Sequence, residues 1–181
     1  MKTPSLYWIT AILYTVFIFF LSVFALDIGK IFGGDIFYDY ALNIAGILFI
    51  SGLLVLFGKK YRQMTGLRWL ALAGVLSVYA CFYFNLENKI EEIHLINFSL
   101  LTILYKKAFE NSRCPQHAYW KAGAVSIFAG GLDEFIQRFV PGRFAQWHDV
   151  GLCLVGALLG VGLAWILNSL RNSGPAANLG K

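Results

Sequence analysis

"LYWITAILYTVFIFFLSVFAL", Leu6–Leu26, carries no charged side chain and is as long as the roughly 20-residue helix that crosses a bilayer core. It follows a single basic residue, Lys2, and ends with "VFA" at Val23–Ala25, which has the form of a weak signal-cleavage site. The apolar run is longer than a signal core, so it reads as a retained first helix. Comparable runs recur at Tyr40–Gly58, Trp69–Leu86 and Val150–Leu170. Two weaker segments lie between them. Ile93–Tyr105 is long enough only if its helix starts near Lys89, and Ala118–Phe139 carries Lys121, Asp133, Glu134 and Gln137. Counting both gives six spans and omitting both gives four.

The composition points the same way. Of 181 residues 58% are hydrophobic and 14% charged, a balance that one soluble core of this size cannot bury. A chain whose exterior faces lipid needs that balance. The expected fold is all-α: a polytopic transmembrane helical bundle of about six spans, one membrane domain over 1–181, with a short flexible tail at 171–181. Cys81, Cys114 and Cys153 are odd in number and scattered, unlike a disulfide framework or a zinc site. The sequence contains no P-loop or dinucleotide fingerprint, and no serine or cysteine sits in a nucleophile motif.

Charge placement favours six spans. Lys2, Lys59, Lys60, Arg62, Arg68, Lys106, Lys107, Arg113, Lys121, Arg171 and Lys181 then share one side, leaving Lys30, Lys89, Arg138 and Arg143 on the other. The positive-inside rule makes the first side cytoplasmic, with both termini inside. Basic loops account for the +5 net charge better than nucleic-acid binding does. Of the acids only Glu110 lies inside. "ENKIEEIH" and "DEFIQRFVPGRFAQWHD", Asp133–Asp149, therefore meet at the outer boundary.

The polar segments have helical spacing. Glu87, Glu91, His94, Phe98, Thr102 and Tyr105 form one face, with Asn97 beside it. Ser126, Gly130, Asp133 and Gln137 form another, with Glu134 alongside. Charged groups are costly in lipid, so both faces should look toward other helices or a wet cavity. Pro141 and Gly142 end the fifth helix and return Arg143 toward the acids, where an ion pair with Glu134 or Asp149 would be structural and a ligand site would use the same groups. Asp149 suits the start of the last helix. Below it, Cys153, Gly156 and Gly160 run along one face, and "GALLG" is a small-residue packing stripe. Asn43 and Gly46 repeat the polar-plus-small pattern in the second span. Glu91-x-x-His94 has metal-ligand spacing but occurs once. A metal would draw on Glu91, His94, Glu134 and Asp149. The pattern assigns neither metal nor cofactor.

Glu134-x-x-Gln137-x-Phe139-x-Pro141-Gly142-Arg143, then Asp149 and "GALLG", resembles the VanZ-like family of bacterial membrane proteins. "EEIHLINFSLL" is similar to that family's acidic-x-His segment through Glu91 or Glu92 and His94, and "DYALNIAGILF" adds a weaker likeness through Asp39 and Asn43. The likeness covers about residues 87–164. Two positions depart from it: Cys153 stands where members carry asparagine, and Phe98 where a tyrosine is common. The resemblance implies a multi-pass inner-membrane protein of the cell envelope, in a group named for a member linked to teicoplanin resistance, and brings no settled reaction.

Three functions follow as expectations. In the first, Arg143, with Arg138 a weaker candidate, binds an anionic lipid-linked or cell-wall ligand, while Glu134, Gln137 and Asp149 orient that arginine and contact the headgroup and Asp133 and His94 complete the ligand site. In the second, a membrane enzyme acts on such a lipid, with His94, Glu91, Glu92 and Glu134 as candidate proton donors or acceptors. In the third, the polar groups only lock helices together. Membrane lipids are partners in all three.

Overall fold

The computed structural model describes residues 4–32, 44, 51–52, 55, 65–85, 89–143 and 146–172. Among them are five long helices and no strand: α1 Pro4–Phe32, α2 Gly66–Asn85, α3 Lys89–Glu110, α4 Ala118–Gln137 and α5 Trp147–Asn172. Most of the second expected span lies outside the described residues, with Asp39, Asn43 and Gly46. So do Glu87 and positions 173–181 of the expected tail.

Local chemistry sets the ends. Pro4 opens α1, where its missing N–H costs nothing. Thr65 O accepts from the amides of Arg68 and Trp69 and starts α2. At the end of α3, Asn111 Nδ2 donates to Lys107 O and Ser112 Oγ to Phe109 O, satisfying carbonyls that the helix leaves open. The chain then reverses through His117, which adopts a left-handed φ of 59°. After α4, Val140–Arg143 closes a turn through Arg143 N to Val140 O at 3.1 Å. Pro141 makes that turn rigid, and Gly142 takes the positive φ of 80° that the following position of such a turn requires.

α3 is the least apolar of the five helices, yet it touches all four others. α1 packs on α3 and α4, α4 on α3 and α5, and α2 mainly on α5. Phe98, Leu101, Ala122, Ala129 and Cys153 form the central contact, with Ala11 and Ile18 from α1. Polar ties cross it: Tyr14 Oη donates to Asn97 Oδ1 at 3.0 Å, and the hydroxyls of Thr15 and Tyr105 share a 3.0 Å hydrogen bond. Tyr79 donates to Ser99. The glycine stripe of α5 is a helix contact, as its spacing suggests: a Cβ on Gly156 would lie 2.8 Å from Leu95 O, and one on Gly160 2.5 Å from Ser99 O.

Polar side chains are buried alongside the apolar core, and many large apolar side chains are exposed. His94, Ser99, Thr102, Lys106, Ser126, Asp133, Glu134 and Gln137 are buried, while Leu13, Phe17, Leu70, Trp120, Phe128 and Phe139 are exposed. Among the described residues two helices are long and apolar enough to cross a membrane, through Leu6–Phe24 and Trp147–Asn168; Gly66–Phe82 is a shorter apolar stretch. This is fewer than the six spans expected. α3 and α4 are excluded by apolarity because each carries a row of polar side chains.

Candidate functional site

α3 and α4 run in opposite directions, as do α4 and α5, so the start of α3, the end of α4 and the start of α5 lie together. Each brings polar side chains to that end. His94 comes from the second turn of α3. Asp133, Glu134 and Gln137 come from the last turns of α4, and Asp149 from the first turn of α5; all five are buried. The i, i+4 spacing of Asp133 and Gln137 turns both inward, while Phe135, between them in sequence, is exposed.

One side-chain amide organises the acids. Gln137 Nε2 donates to Asp133 Oδ2 at 3.2 Å and to Glu134 Oε1 at 3.1 Å. The other Glu134 oxygen accepts from the backbone amide of Gln146 at 3.2 Å, fastening the approach to α5 onto the end of α4. His94 Nε2 faces the same two carboxylates, 3.6 Å from Glu134 Oε1 and 3.9 Å from Asp133 Oδ2, too far for hydrogen bonds. Its ring stacks on Phe98, which fixes the direction it faces. Asp149 lies close enough to His94 to interact electrostatically, with His148 Nδ1 3.9 Å from its Oδ1.

The cluster is rich in negative charge. Asp133 and Glu134 are 1% and 3% exposed, and Gln137 is a neutral donor that holds their oxygens without cancelling either charge. Their facing oxygens lie within 4.8 Å of one another. Two unit charges at that distance repel by about 3.5 kcal/mol at an effective dielectric near 20.

Arg143 does not supply the missing positive charge directly. Its Nη1 donates to Gln137 Oε1 over a long 3.5 Å, in place of the ion pair with Glu134 or Asp149 that the sequence suggests. The turn at Pro141–Gly142 brings the guanidinium back only as far as Gln137, the outermost polar group of α4. Arg143 Nε has no hydrogen-bond partner among the described residues. Arg138, the weaker cation candidate, is exposed and stands outside the cluster. Glu91 and Glu92 belong to the first turn of α3, but their side chains lie outside the described residues.

The polar stripe of α3 divides into two parts. His94 joins the cluster, whereas Thr102 back-bonds to Phe98 O at 2.8 Å and Tyr105 ties to α1. The deeper part is therefore structural. Ser22, which sequence reasoning did not single out, lies in α1 beside Asp133. Neither its hydroxyl nor Asp133 Oδ1 completes a hydrogen bond of normal length among the described residues, and His94 Nδ1 is likewise unpaired. A serine in an apolar run gives no sign of direction, and only the packing of α1 on α4 reveals it. Cys153 fits against Gly130, where an added Cβ would lie 2.5 Å from its own Cβ. All three cysteines are free.

No family model matches the chain, and no curated protein or solved structure matches it. The fold and site together define an all-α helical bundle with an acid-rich cluster buried at one end.

Proposed function

We propose that the chain is a multi-span, VanZ-like protein of the bacterial cytoplasmic membrane whose polar cluster binds the anionic headgroup of a lipid-linked or cell-wall ligand at the outer boundary. The described helices have 20 to 29 residues, or about 30–43 Å at 1.5 Å per residue, against a hydrocarbon core of about 30 Å. In α4 Ser126, Asp133, Glu134 and Gln137 face inward and Trp120, Phe128, Leu132 and Phe135 lie outside, while no described residue of α3 is exposed. Six spans with cytoplasmic termini fit this pattern. Lys106, Lys107, Arg113 and Lys121 gather at the α3–α4 connection, the end opposite the cluster, as the positive-inside rule requires of a cytoplasmic loop.

The observation that carries the ligand reading is the convergence of three helices on one buried polar site with Arg143 at its edge. Arg143 is half-buried, and among the described residues its side chain makes one long bond to a neutral partner and its Nε is unpaired. It is free to turn its planar donors onto a phosphate or carboxylate. Gln137 positions it, and Glu134 sets the position of Gln137.

Binding of a lipid-linked cell-wall precursor to the purified protein in nanodiscs tests this. Arg143→Ala should weaken binding about 10- to 100-fold, the equivalent of a charge-assisted hydrogen bond, and leave unfolding almost unchanged. Equal binding by wild type and variant refutes the proposal. The 3.6 Å approach of His94 to Glu134 favours an enzymatic reading as a second choice. That reading requires turnover of labelled precursor that disappears in both His94→Ala and Glu134→Ala. Loss of protein abundance in Arg143→Ala and Glu134→Ala, before any change in glycopeptide resistance, marks a purely structural role instead.

A further inference from the structure

We infer that His94 Nε2 and the carboxylates of Asp133 and Glu134 bind a divalent first-row transition cation. One ligand atom from each of the three residues lies within 4.8 Å of the other two. The two edges from His94 are 3.6 and 3.9 Å, the carboxylate oxygens lie within 4.8 Å of each other, and tetrahedral donors about 2.0–2.2 Å from a metal are spaced about 3.3–3.6 Å apart. Small rotations of three side chains close that gap.

Charge and unpaired polar atoms point to the same place. Two buried carboxylates face one imidazole, Asp149 adds a third acid nearby, and Arg143 is engaged with Gln137. Among the described residues no lysine or arginine pairs directly with Asp133 or Glu134, buried acids that need a compensating positive charge. Ser22 offers its hydroxyl to Asp133 without completing a hydrogen bond of normal length, and His94 Nδ1, on a residue more than nine-tenths buried, has no partner among the described residues. An acid cluster alone would not specify a metal. Here it is joined by a buried imidazole from a second helix, whose Nε2 faces both carboxylates and whose Nδ1 has no partner among the described residues.

The donor set selects the class of cation. One imidazole nitrogen and two carboxylate oxygens suit Zn²⁺, Mn²⁺ or Fe²⁺, while a soft cuprous ion needs sulfur. Cys153 does not fill that role, because its side chain is packed against Gly130. Sequence spacing points to Glu91, whose side chain lies outside the described residues; the folded chain brings His94 to two adjacent acids from α4. Three protein ligands leave coordination positions open for water. A cation there turns an acid-rich cluster into one that accepts a phosphate or carboxylate oxygen, which deepens the ligand reading above. The metal site itself does not depend on that reading.

The full chain, purified with any affinity tag removed and stripped with a chelator, is titrated with Zn²⁺, Mn²⁺ and, as a spectroscopic probe, Co²⁺. Metal content is measured by mass spectrometry. About one ion per chain should bind, and Co²⁺ should give visible bands of nitrogen and oxygen ligation without thiolate charge transfer. Asp133→Asn and Glu134→Gln keep side-chain shape and should each weaken binding at least about ten-fold, since even outer-shell changes cost that much. Helical circular dichroism and the elution profile establish that these variants are folded. Absence of stoichiometric binding by wild type overturns the inference, as does equal binding by the folded double variant, or binding of Mg²⁺ or Ca²⁺ alone. No lipid is present, so metal binding without precursor binding would sink only the ligand proposal, and the reverse result only this one.

Discussion

Gly160→Ala is the sharpest test of the packing that builds the site. A Cβ at this position would lie 2.5 Å from Ser99 O, 2.8 Å from Thr102 Cβ and 2.9 Å from Ser99 Cα, where ordinary contact begins near 3.4 Å. The nearest obstacle is backbone and cannot rotate aside, so α3 and α5 must part locally by roughly 0.9 Å. Overpacking of this kind costs about 1–3 kcal/mol. Separation also strains the 2.7 Å bond from Ser99 Oγ to Gly156 O, worth about 1 kcal/mol. Alanine's helix preference over glycine returns about 0.8–1 kcal/mol. The net expectation is a destabilisation of about 2 kcal/mol. Gly151→Ala is the control, because nothing lies within 4 Å of its added Cβ. It should gain up to about 1 kcal/mol from the same preference. Unfolding in micelles, followed by circular dichroism, should separate the two variants by about 3 kcal/mol, or about two orders of magnitude in the unfolding equilibrium. If Gly160→Ala unfolds like wild type or like Gly151→Ala, the close α3–α5 approach is wrong.

Asp133→Asn removes one of two adjacent buried charges without changing shape. The metal-free protein should be at least as stable as wild type in thermal unfolding, while cation binding falls; a stability loss equal to that of Asp133→Ala would contradict the charge argument. Phe128, 73% exposed near the middle of α4, should face lipid. Phe128→Arg should then reduce recovery from the membrane fraction, since arginine at a span centre costs about 2.5–3.5 kcal/mol on the insertion scale. Undiminished membrane recovery would refute a transmembrane α4.

The all-α class was legible because long apolar runs have few ways to satisfy their backbone in lipid. Helix ends were less so. Asp149 marked the start of α5 correctly, but Leu6–Leu26 is only the apolar part of Pro4–Phe32, and Val150–Leu170 stops short of Asn172. Hydropathy stops at the first polar residue, whereas backbone hydrogen bonding does not. Four site residues, His94, Asp133, Glu134 and Gln137, were readable from spacing, because polar groups repeating every three or four positions in an oily helix turn inward. The partner of Arg143 was not readable. A charge count pairs it with an acid, but the reach of its turn decides for Gln137. Of the metal-like set the sequence offered His94 and Glu134 but not Asp133, because consecutive carboxylates in a helix do not have metal-ligand spacing and only the fold brings both to the imidazole.

The central position of α3 bears on how the protein is made. Its most extensive contact is with α5, the last of these helices to leave the ribosome. On the membrane reading, a nascent chain that has completed α4 holds His94, Asp133 and Glu134 without the wall that later encloses them. Insertion of α3 and α4 is then provisional until α5 arrives, and quality-control proteases have that interval in which to act.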